Sequence, residues 1–61
     1  MTKSSREVIK LLEQNGWTLS HVRGSHYYYR KSGFQPVTVP HPRKDLAIGT
    51  YKAILKHAGL L

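Results

Sequence analysis

Glycine and proline punctuation sets the first limit on what this chain can fold into. Gly16, Arg23-Gly24-Ser25, Lys31-Ser32-Gly33 and the Pro40/Pro42 pair fall at short intervals through the middle of 61 residues, and each is turn or breaker chemistry. What lies between them alternates. Trp17-Thr18-Leu19-Ser20 reads as a strand half buried on its Trp17/Leu19 face, and Arg23-Gly24-Ser25 breaks it. His26-Tyr27-Tyr28-Tyr29-Arg30 is aromatic and reads as a second strand. Val37-Thr38-Val39 is a short third, closed off by Pro40 and Pro42.

Helical spacing appears only at the two ends. Ser4-Ser5-Arg6-Glu7 fits a capping box. Val8, Ile9, Leu11 and Leu12 then form one apolar stripe, and Gly16 supplies a left-handed stop, so a helix is expected over about 5–15. Near the other end Thr50 is the expected N-cap, with Gly49 just before it. Tyr51, Ile54, Leu55 and Ala58 make the apolar face, and Gly59 ends it. The order is α-β-β-β-α, an α+β fold. Tight connections favour an antiparallel meander, and two amphipathic helices need one face of that sheet to bury their stripes. No repeat, linker or low-complexity segment divides residues 1–61, which read as a single domain. A domain of that size buries only about 60% of the surface its unfolded chain exposes.

Composition narrows the chemistry. Without cysteine there is no disulfide or thiolate ligand, and the four histidines form no HxH or HxxxH pair, so no metal site is expected. No apolar run approaches the ~18–20 residues of a membrane span, and Met1-Thr2-Lys3-Ser4-Ser5 has no apolar leader pattern, so the expected location is the cytoplasm. Ten Lys and Arg against Glu7, Glu13 and Asp45 give a net charge of +7. That balance suits a polyanion partner, whether RNA, DNA or an acidic protein. Most of the excess falls in the strand region and the loop after it, on Arg23, Arg30, Lys31, Arg43 and Lys44.

Strand parity sorts the aromatic segment. Side chains alternate along a strand, and Arg30 has no place against helices. His26 and Tyr28 share its parity and therefore its open face, while Tyr27 and Tyr29 turn toward the helices with Trp17, Leu19, Val37 and Val39. An imidazole, a phenol and a guanidinium in a row suit RNA: a cation meets phosphate, a ring stacks on a base, an imidazole moves protons. A polar, solvated sheet face with no function is the competing reading. His21, on the Trp17/Leu19 parity, reads as a partly buried strand residue. His41 lies in a stiff loop between Pro40 and Pro42, and His57 sits in a last helical turn where a cation suits the dipole.

Three blocks of the sequence carry a resemblance. Gly24-Ser25-His26 opening an aromatic strand resembles the GSH signature of the HicA toxin family. Val37-Thr38-Val39-Pro40-His41-Pro42 resembles its VTVP-H segment. Asp45-Leu46, Gly49-Thr50, Ile54-Leu55 and Ala58-Gly59-Leu60 resemble its closing helix. The likeness spans nearly the whole chain in the right order. It implies a fold like a double-stranded-RNA-binding domain, with a three-stranded antiparallel sheet and two helices on one face. It also implies endoribonucleolytic cleavage of messenger and transfer-messenger RNA without the ribosome. The implied catalytic residue is His26, and the implied partner is a HicB-type antitoxin covering the active site.

The chemistry agrees with the composition. RNA carries its own nucleophile, the 2′-hydroxyl, so an enzyme need only move protons and steady the phosphate. An imidazole does the first near neutral pH, and Arg or Lys the second. The expected RNA contacts are Arg23, Gly24, Ser25, Tyr28, Arg30, Arg43 and Lys44, with Lys31 a solvated turn charge. No cofactor is expected, and the chain lacks the carboxylate cluster of magnesium-dependent nucleases. His41 is the least unsuitable second proton-transfer group. The alternative is a double-stranded-RNA-binding module that does not cut. A DNA-binding role is weaker, since the closing helix carries only Lys52 and Lys56 as basic residues.

Overall fold

The computed structural model describes residues 4–61. The leader pattern sought in Met1-Thr2-Lys3 lies outside the described residues. The order is α1 (Ser5–Gln14), β1 (Thr18–Arg23), β2 (His26–Arg30), β3 (Val37–Pro40) and α2 (Ile48–His57), which is the expected α-β-β-β-α. The strands form one antiparallel sheet with β2 in the centre.

α1 starts as its sequence indicates. Ser4 is the N-cap, and its hydroxyl accepts from the Glu7 amide at 3.3 Å. Val8 and Leu12 are fully buried, with Ile9 packed beside them. α2 departs from expectation. It begins at Ile48, so Gly49 and Thr50 lie inside its first turn, and Thr50 is not the cap. The Ala47 carbonyl accepts from the Tyr51 amide at 2.9 Å, and no side chain caps that end. Backbone geometry set up by the preceding loop fixes the start, three residues before the cap that side-chain chemistry points to.

One core joins the layers. Val37 and Val39 of β3 and Tyr29 of β2 meet Val8 and Leu12 of α1, Ile54 of α2, and Ala58 at the C-cap of α2. Both helices lie against β3. Tyr27 is half buried on the same side, as parity required. Trp17 is buried just before β1, its amide donating to the Leu12 carbonyl at 3.0 Å and its ring 5.5 Å from that of Phe34.

β1 corrects two expectations. It runs to Arg23, so the turn is only Gly24-Ser25, with Gly24 at φ 60° in the first of two turn positions. That is the pattern of a type II′ hairpin turn, whose twist matches the strands it joins. The second correction concerns burial. Leu19 pairs with Tyr29 on the helix side yet is 48% exposed, and Val22, opposite Tyr27, is 46% exposed. The helices cover β3 at the far edge and leave the β1 edge uncovered, so alternation in β1 does not translate into burial.

Tyr29 links the core to alkaline stability. Burial pushes its phenol above the ordinary value, with Glu13 and Tyr27 adding in the same direction. A phenol held protonated by the fold contributes stability that is fully present below its unfolded value near ~10. That contribution is lost as pH rises through the folded value. Thermal melts between about pH 9 and 11.5 should therefore fall more steeply for the parent than for Tyr29→Phe. Parallel pH profiles would show that this phenol does not contribute.

Candidate functional site

The open face is assembled by pairing. On β2 it carries His26, Tyr28 and Arg30; opposite them on β1 stand Arg23, His21 and Thr18. On the other side Pro40 faces His26, and Thr38 faces Tyr28. His26 is therefore the first residue after the tight turn, directly across from Arg23, and both are exposed. Arg30 is exposed at the far end of the same row, and Tyr28 is half buried between them. Gly24 and Ser25 form the turn itself. Gly24 has open space where a Cβ would stand, so its need for glycine comes from its positive φ and not from crowding.

His21 overturns its expected position. The register slips between Leu19 and His21, with Ser20 as the extra residue of a β-bulge. One inserted residue flips the parity of everything after it. His21 thus leaves the Trp17/Leu19 side and joins the open face opposite Tyr28. The two rings stack, with centroids 4.4 Å apart and planes 9° from parallel. The Ser20 hydroxyl and His21 Nδ1 are 3.1 Å apart. Sequence alternation gave no sign of the bulge. The only available hint was that a histidine would otherwise lie among apolar neighbours.

The loop after β3 is tied down from two directions. The His41 amide donates to the Ser25 carbonyl at 2.9 Å, which links this loop to the turn that presents His26. His41 Nδ1 lies 2.6 Å from the Ser5 hydroxyl, and the His41 ring meets Tyr27 edge-on at 4.7 Å. Tyr27 points to the helix side, so the His41 ring is on that side too, away from the His26 row. This makes His41 a poor second proton-transfer group for chemistry at His26. Ser5, which the sequence did not single out, is 1% exposed. Its hydroxyl accepts from the Arg43 amide at 2.8 Å and lies 3.2 Å from the Arg43 carbonyl, while the Ser5 amide donates to that carbonyl at 2.9 Å. These bonds pin residues 41–43 to the start of α1 and leave Arg43 and Lys44 exposed beside it.

Two further residues complete the inventory. Lys31 is not a simple solvated charge: it is half buried, its ammonium 5.0 Å from the Phe34 ring centroid and its chain against Gly16. His57 is exposed in the last turn of α2, beside Lys56. Among the described residues, no group of three or more His, Cys, Asp or Glu gathers as metal ligands would. No helix there is long and apolar enough to cross a membrane.

Comparison with known proteins agrees with the fold. The sequence profile of the family described as the HicA toxin of bacterial toxin–antitoxin systems matches residues 5–60. No curated protein sequence matches the chain. Among solved structures, a chain of a toxin–antitoxin complex from Streptococcus pneumoniae is similar, at 36% identity and a TM-score of 0.83. The match covers 93% of this chain and 97% of that one. Matched by the family profile over nearly all of its described length, and by a solved relative over nearly all of that relative, this chain belongs to the HicA toxin family.

Proposed function

We propose that this chain is an endoribonuclease toxin that cleaves messenger RNA, independently of the ribosome, on the open face of its sheet. His26 is the catalytic residue, and no metal ion takes part. One observation carries the reading. In a chain of the HicA family, an exposed imidazole is presented by a tight turn directly opposite Arg23, on a face with no helix over it. A polar face needs no such arrangement to stay solvated.

The chemistry follows from the groups at hand. His26 removes the proton from a ribose 2′-hydroxyl, and the freed oxygen attacks the adjacent phosphorus. The bond from phosphorus to the 5′-oxygen of the next nucleotide breaks; that oxygen takes up a proton from water, and the imidazolium of His26 returns its proton to solvent. The product ends in a 2′,3′-cyclic phosphate. Arg23, facing His26, offsets charge on the phosphate oxygens as the crowded intermediate forms. Gly24 and Ser25 hold the turn close to the backbone of the RNA, Arg30 holds a neighbouring phosphate, Tyr28 meets a base, and Arg43 and Lys44, beside α1, hold phosphates farther along the strand. Transfer-messenger RNA offers the same bond and is a substrate of the same kind.

A HicB-type antitoxin is the proposed partner, acting in the cytoplasm. The solved relative comes from a toxin–antitoxin complex, and a basic face is most simply blocked by an acidic one. On this reading the partner lies over Tyr28 and Arg30.

His26→Ala tests the catalytic role. The residue is exposed, so the change should cost at most about 1 kcal/mol of stability. Cleavage of a labelled transcript in EDTA should slow by roughly 10²–10⁴-fold, with RNA affinity nearly kept. His57→Ala is the control and should retain most activity. Parent-like cleavage by His26→Ala, or cleavage by the parent only when magnesium is restored, would contradict the mechanism. Binding without cleavage by the parent would mark a double-stranded-RNA-binding module instead.

Salt dependence tests the electrostatic footprint. Roughly four to six phosphate contacts should give a slope of about −3 to −5 in log affinity against log salt. A slope near zero would mean that the +7 charge does not hold the RNA.

A further inference from the structure

The His26 row borders a hollow of which the proposed cleavage reading uses only Tyr28 and Arg30. An open trough of about 640 Å³ runs from the His21–Tyr28 stack to the turn after β2. Its walls include Thr18, Ser20, His21, Tyr28, Arg30 and Lys31, and no carboxylate lines it. The volume lies within the ~300–1,000 Å³ usual for small-ligand sites.

From this we infer that the trough is a subsite for one unstacked nucleotide of single-stranded RNA, adjacent to the phosphate cut at His26, with the His21–Tyr28 stack as its base platform. The inference rests on the ribonuclease reading and names how that site holds its substrate.

Three observations support it. First, the platform is already formed. His21 and Tyr28 are cross-strand partners with parallel rings 4.4 Å apart, and Ser20 contacts the imidazole at Nδ1. A nucleobase gains most from aromatic rings whose orientation is fixed before it arrives. Second, the bulge at Ser20 is what brings His21 to this face, and bulges commonly re-aim a side chain beside a functional site. Third, the spacing suits one nucleotide. Tyr28 stands two residues beyond His26 on the same face of β2, roughly 6–7 Å along the strand, which is about one step of an extended RNA strand. Arg30, two residues further, meets the next phosphate. Lys31, held against Phe34, forms part of the trough's wall at that end. A base still stacked within a duplex cannot enter, so the substrate here is an unpaired segment.

His21 is therefore a binding residue whose ring, and not its proton, matters. The test uses a short RNA that the parent cuts once, together with versions carrying an abasic nucleotide at each position flanking the cut. His21→Ala should raise KM about 5- to 50-fold, the range expected for losing one base–aromatic contact, with kcat within about threefold. His21→Phe should restore KM to within about threefold of the parent, because stacking needs only a ring. The abasic change at one flanking position should cost the parent the same factor and cost His21→Ala nothing further.

Unchanged KM in His21→Ala overturns the subsite. So do abasic and His21→Ala losses that simply multiply. A fall in kcat that His21→Phe does not rescue also overturns it, and makes His21 a proton-transfer group. If the parent cuts no RNA, the ribonuclease reading fails. The same factors are then sought in Kd, by fluorescence anisotropy of the same RNAs: their presence keeps the platform, and their absence removes it.

Discussion

The pairing of β1 with β2 is the constraint on which the open face depends. A two-residue turn at Gly24-Ser25 sets Arg23 opposite His26, and Gly24 makes it possible by taking φ 60°, a conformation other residues adopt at a cost. The bulge at Ser20 then shifts the register by one. Before it, Leu19 faces the helices with Tyr29; after it, His21 faces away from them with Tyr28. Without that extra residue a histidine would replace an apolar side chain on the helix side, and the open face would lose half of its aromatic pair. The hairpin thereby converts a local irregularity into a row of basic and aromatic groups.

The remaining elements hold that hairpin in place at small scale. α1 and α2 both rest on β3, and β3 passes its order to β2 through Tyr29 and Val37. Ser5 adds a polar fastening, joining the first turn of α1 to the loop that follows β3, and that loop bonds to Ser25 through His41. A buried hydroxyl so placed has its hydrogen-bonding capacity used, as a buried polar group requires. The cover is one-sided, and the β1 edge keeps Leu19 and Val22 exposed. A chain this short does not bury every apolar side chain it carries.

Much of this was legible in the sequence. Element order, the Ser4 cap, the parity of the aromatic strand and the family blocks all follow from residue type and spacing, because each depends on neighbours within a turn or two. What could not be read depended on register or distant contacts. The start of α2 is set by the loop before it and not by Thr50. The burial of Leu19 depends on where the helices land. The prolines around His41 indicate a stiff loop, but its ring is fixed by Ser5, thirty-six positions away. Alternation puts His21 on the wrong face because it assumes an unbroken ladder. Of the proposed site residues, Arg23, His26, Tyr28 and Arg30 do gather in paired positions on one face, while Arg43 and Lys44 stand apart beside α1.

The central claim is that RNA is handled on the face away from the helices. The four histidines are natural reporters, because they sample both sides of the sheet. The most direct measurement is NMR of the histidine rings during titration with a 2′-O-methyl oligoribonucleotide, which lacks the nucleophile and is not cut. The account predicts that the His26 and His21 resonances shift together with those of Tyr28, while His57 stays where it was. Shifts confined to His57 and α2, with the open-face rings unmoved, would contradict it.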